Sequence, residues 1–186
     1  MARNGTLAAL MAAAALVALS APSWGGMLPP PKGEIYTADL SGYEEVTPKS
    51  TAGTGSFKLS VPKDGMIEYE LSYSGLEGNI LQAHIHFGQP GVNGGIIVFL
   101  CTNTGNGPNG DEPACPQSGT VKGSFDASDI IGPTDQGIAA GELDEALAAI
   151  RNGLTYANIH TSLYPAGEIR GQIMEKRMGK IPWLRK

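Results

Sequence analysis

The three histidines of this 186-residue chain fall in two short, similar segments, His84 and His86 in A-H-I-H and His160 in N-I-H-T. Imidazole is the commonest metal ligand among side chains. Residues two apart on a β-strand point to the same face, so His84 and His86 would project side by side and lose little entropy on chelation. A third imidazole from a neighbouring strand, about 4.8 Å away, would complete a neutral three-nitrogen site with an open coordination position. Such a site suits copper, zinc, nickel or iron, and copper binds most tightly in the divalent series. Copper is therefore the first expectation, and zinc with three histidines and a water the second. No glutamate stands at metalloprotease spacing, so peptide hydrolysis lacks its usual base. The same histidines also read as an ordinary polar outer face of a sheet, or as partners for a loop.

Each ligating imidazole needs its other ring nitrogen satisfied. Gln82 and Asn158 share faces with the histidines and are the candidates from spacing. Glu168 and Arg170 share one strand face, and their pairing would set a cation near the open position, where it would draw in small anions. The alternative is a structural ion pair closing the fold. Ligation requires neutral imidazole, so affinity is expected to fall as pH drops through about 6.5.

The elements that must position these residues read mostly as period-two strands. Glu34 to Leu40 is a first strand. Thr54 to Val61 and Met66 to Tyr73 follow, joined at P-K-D-G by a hairpin turn, with Phe57, Leu59, Val61, Ile67, Tyr69, Leu71 and Tyr73 inward. Ile80 to Phe87 carries the first two histidines, with Leu81, Ala83, Ile85 and Phe87 on its apolar face; this sets the histidines away from the main core. Ile96 to Leu100 is a continuous apolar run, as for a strand buried on both faces. Gly119 to Phe125, Leu154 to Thr161 and Glu168 to Met174 complete about eight strands. One helix, Glu142 to Asn152, places Leu143, Ala146, Leu147 and Ile150 at helical spacing and stops at Gly153. The fold class is all-β, an antiparallel Greek-key-like sandwich with one short helix.

The chain opens with Arg3 and an apolar run from Leu7 to Leu19 ending in small residues, which reads as a secretory signal over residues 1–20. The run is too short to span a bilayer, and no other stretch would cross it. Residues 21–33, rich in Pro and Gly, form a leader, residues 34–175 the domain, and residues 176–186 a basic tail. The tail reads as a solvated terminus or as a dock for an anionic surface. The net charge of −5 gives no reason to bind nucleic acid. In an exported, periplasmic or extracellular chain, Cys101 and Cys115 most simply form one disulfide, worth about 3 kcal/mol for a loop of roughly 15 residues; a thiolate metal or redox pair is the alternative.

Several segments together resemble the chordin-type domain called CHRD. They are L-S-G-Y-E-E-V-T-P, G-T-G-S-F, A-H-I-H-F-G-Q-P-G-V-N-G-G-I-I-V-F-L-C, I-R-N-G, Y-A-N-I-H-T and P-A-G-E-I-R-G-Q-I, spread over about Tyr36 to Ile173. The resemblance implies an exported β-sandwich and little biochemistry; nothing in the chain suggests the growth-factor partner that chordin has. H-I-H-F-G is also similar to the H-V-H-x-x-G strand of copper-zinc superoxide dismutases, whose two histidines hold copper. That likeness implies His160 as a third ligand and Arg170 as the counterpart of the active-site arginine. The bridging histidine and the zinc-ligand loop are missing, so it implies a three-histidine copper site at most.

Three functions follow as expectations. The first is an exported protein binding one transition metal in envelope metal handling. The second is a metal-free module that recognises an envelope protein or polymer through its loops. The third is a mononuclear copper redox enzyme.

Overall fold

The computed structural model describes residues 33–63 and 66–176. The expected signal, most of the leader, the tip of the P-K-D-G turn and the tail beyond Lys176 lie outside them. Nine strands, β1 (Glu34–Ser41), β2 (Thr54–Val61), β3 (Ile67–Ser74), β4 (Ile80–Phe87), β5 (Ile96–Thr102), β6 (Gly119–Phe125), β7 (Thr155–Thr161), β8 (Ile169–Gln172) and β9 (Met174–Glu175), pair antiparallel. The sheet runs in the order β5-β4-β7-β8-β1-β2-β3-β6, with β9 added on β1. The expectation of about eight strands is one short, because the last predicted strand is two. At Ile173 the chain turns its N–H to Thr155 O at 2.9 Å, and it then leaves β7 for β1.

The sheet curls so that its end strands β5 and β6 approach each other. Period-two alternation fills the interior with Phe57, Leu59, Val61, Ile67, Tyr69, Leu71 and Tyr73 from β2 and β3, and with Ala83, Ile85, Ala157, Ile159 and Ile169 from the opposite side. Tyr69 on β3 reaches across the seam and donates its hydroxyl to Leu100 O of β5 at 2.6 Å. Burial pushes this phenol up to about 12, so the hydroxyl stays a donor. Gly123 of β6 leaves the room, since a Cβ there would overlap the Tyr69 ring. The same outer side of β5 gives Ile97 O to Ile131 N at 2.9 Å and Thr102 N to Pro113 O at 3.0 Å.

Helix α1 (Leu143–Arg151) buries Ala146, Leu147, Ala149 and Ile150, and Gly153 beyond it takes a left-handed φ of 67°, the ordinary helix stop. Cys101 and Cys115 are joined as a disulfide. Asn103 ties the same loop by donating to Ile80 O and Cys115 O and accepting from Cys115 N. Among the described residues no helix is long and apolar enough to cross a membrane.

Candidate metal centre

The alternation of β4 puts Ala83 and Ile85 in the core and His84 and His86 on the opposite face. Pairing with β7 sets Gln82 opposite His160, His84 opposite Asn158, and His86 opposite Tyr156. His160 is thus the diagonal neighbour of His84, within reach across adjacent strands. On the other side, β5 carries two extra residues, Leu100 and Ile97, relative to β4. The Leu100 bulge moves Phe99 opposite His84 instead of Ile85, and so onto the histidine face. The Phe99 ring meets His84 edge-on at 4.3 Å between centroids, and Tyr156 stacks on His86 at 4.9 Å with 4° between planes.

This face is not solvated. His84 is fully buried, and His86 and His160 are each 7 % exposed. The reading of the histidines as an ordinary polar outer face therefore fails. Loops lie over them. His86 Nδ1 is 2.9 Å from Gly94 O, and His160 Nδ1 is 3.0 Å from Pro165 O. A carbonyl only accepts, so both Nδ1 atoms carry the proton and both Nε2 atoms present a lone pair. Those two Nε2 atoms, and both ring nitrogens of His84, are buried without a hydrogen-bond partner. Burial holds all three imidazoles below their usual range, His84 at about 2 and His86 at about 4, and like charge from their neighbours adds to it.

One nitrogen from each ring lies within 4.8 Å of the other two. Three donors bound to one ion at about 2.1 Å stand about 3.5 Å apart in trigonal or tetrahedral geometry, so gripping an ion asks the widest pair of rings to close by about 1 Å. An ion would take up one bare nitrogen from each ring, three of the four, which are otherwise costly to bury unpaired; the second nitrogen of His84 keeps no hydrogen-bond partner among the described residues. The donor set fits a transition-metal ion: His84, His86 and His160 would hold it.

The neighbouring residues are arranged differently from their expected pairing. Arg170 does not pair with Glu168. It binds Glu45, with Nε and Nη2 each 2.7 Å from Oε2, and it donates to Asn93 Oδ1 at 2.6 Å and Val92 O at 3.3 Å. Its guanidinium lies 4.4 Å from the centre of the Tyr156 ring. Burial pushes the Glu45 carboxyl up, against the pull of Arg170 and Asn158. Glu168 is fully buried and accepts from Thr51, Thr161, and the N–H groups of Glu77 and Gly78. Burial pushes its carboxyl up, but these bonds outweigh it and leave it below the usual range. The reason is geometric: β8 begins at Ile169, so Glu168 precedes the strand and turns toward the β3–β4 connection.

Asn158 donates to Glu45 Oε1 and Ile169 O, and Gln82 accepts from Asn106, so neither amide serves a histidine. Backbone carbonyls of the covering loops take that place for His86 and His160. Sequence reasoning missed Glu45, Phe99, Tyr156, Gly94 and Pro165. The signal for Glu45 was its place in L-S-G-Y-E-E-V-T-P, and for Gly94 a close loop approach, since a Cβ there would overlap Phe87 O.

No curated protein and no solved structure matches the chain. The family model of the CHRD domain matches residues 36–173, which span every strand of the histidine face and the loops that cover it. The chain belongs to the CHRD domain family.

Proposed function

We propose that this is an exported CHRD-domain protein that binds one transition-metal ion through His84, His86 and His160, with copper preferred over zinc, in metal handling at the cell envelope. One observation carries the reading: every histidine of the chain converges on one buried point, with Nε2 of His86 and His160 bare because Nδ1 is engaged. The apolar run near the N-terminus, read as a signal over residues 1–20, and the Cys101–Cys115 disulfide support export. Gly94 and Pro165 act as the outer partners that orient the ligands. Bound metal would supply Lewis acidity or an electron couple. Catalysis has less support, because each guanidinium nitrogen of Arg170 is engaged with Glu45, Val92 or Asn93.

Elemental analysis of the protein purified from its native compartment tests this. One equivalent of metal is expected, and none in the His84→Gln/His86→Gln/His160→Gln variant. A module that recognises an envelope protein or polymer through its loops would carry no metal and keep its partner in that variant.

A further inference from the structure

The walls of the histidine site decide which charge it can hold. His84 is fully buried, with the Phe99 ring edge against it and Tyr156 stacked on its neighbour His86. The three ligands are neutral, and among the described residues no Asp, Glu or Cys joins their cluster. The two buried carboxylates of the region are committed elsewhere, Glu45 to Arg170 and Asn158, and Glu168 to Thr51, Thr161, Glu77 N and Gly78 N. The charged group that leans on the Tyr156 ring is itself a cation, Arg170, at 4.4 Å. The cost of taking an ion out of water grows with the square of its charge, so a divalent ion pays about four times what a monovalent one does. Divalent ions in protein interiors offset this with carboxylate, thiolate or hydroxide, and the protein supplies none of these here. Monovalent copper needs no fourth ligand and accepts three nitrogen donors.

Resting on the metal reading above, we propose that the site is selective for a monovalent ion, Cu(I), held by His84, His86 and His160 without a fourth protein ligand, and that it discriminates against Cu(II) and Zn(II). The Phe99 and Tyr156 rings stand where a compensating anion would otherwise be supplied by the protein.

The test is competitive titration of the purified protein with Ag(I), with Cu(I) under anaerobic conditions, with Cu(II) and with Zn(II), read by equilibrium dialysis and elemental analysis. X-ray absorption of the copper-loaded protein counts the donors. Ag(I) and Cu(I) are expected to bind at least about 100-fold more tightly than Zn(II) or Cu(II), with three nitrogen neighbours, and His160→Gln is expected to abolish the preference. Zn(II) or Cu(II) binding as tightly as Ag(I), and lost in His160→Gln, overturns the charge selectivity while the three-histidine centre stands. If no ion binds in a histidine-dependent way, both readings fall. Phe99→Asp adds an anion beside His84 and is expected to narrow the Ag(I)-to-Zn(II) ratio at least about tenfold; an unchanged ratio in the folded variant overturns the electrostatic argument.

Discussion

His84 and His86 remain neutral in the folded chain far below the pH at which a free imidazole takes a proton, because burial opposes their cations. The unfolded chain therefore binds more protons between about pH 6.5 and the folded values of about 2 and 4. Stability is complete above that window and falls as pH drops into it, by about 1.4 kcal/mol per pH unit for each of these imidazoles. Urea denaturation of the metal-free protein at pH 7, 6 and 5 is expected to show this loss. The expectation that metal affinity weakens through pH 6.5 belongs to a solvated imidazole; burial lowers all three imidazoles in the folded site, so proton competition begins lower and affinity is expected to fall less between pH 7 and pH 5 than three free imidazoles would require. At this scale the clustering of the three histidines was legible, because a strand period of two and a scarcity of histidine leave few arrangements. The partner of Arg170 was not, since Glu45 lies 125 residues away and no periodicity links them.

Between elements, the Glu45–Arg170 pair ties the short 3-10 turn at Gly42–Glu44 and the segment after it to β8, while Asn93 joins the 88–95 loop to both through Arg170 and Val46 O. Gly167 is needed here, because a Cβ would fall between Glu45 and Asn158 in a backbone with φ of 128°. Removing the carboxylate leaves a buried guanidinium unpaired, so Glu45→Ala is expected to cost about 3–5 kcal/mol, measured by chemical denaturation. Alternation made the strands legible to within a residue or two, and the inward faces of β2 and β3 fell where their apolar residues predicted. The bulges of β5 were hidden, because Ile96 to Leu100 is apolar throughout and carries no periodicity to mark an extra residue. The one at Leu100 decides whether Phe99 faces His84 or Ile85, so the aromatic wall of the site could not be read from the chain.

For the molecule as a whole, one curled sheet accounts for both the core and the site, and its order depends on pairings between distant segments that strand patterns alone leave open. The disulfide closes a loop with a sequence separation of 14 beside β5, and Asn103 fastens the same loop. The Cys101→Ala/Cys115→Ala variant is expected to lose about 3 kcal/mol of unfolding free energy, read from a urea midpoint. A sheet that curls without sealing keeps two free edges, and bare backbone groups on an edge are templates for strands of other molecules. Here the β5 edge is partly disarmed: Ile131, the Tyr69 phenol and Pro113 engage Ile97 O, Leu100 O and Thr102 N, three groups that an incoming strand could otherwise use. Tyr69→Phe reopens one of them, and concentrated solutions of that variant are expected to self-associate and scatter light where the parent stays clear.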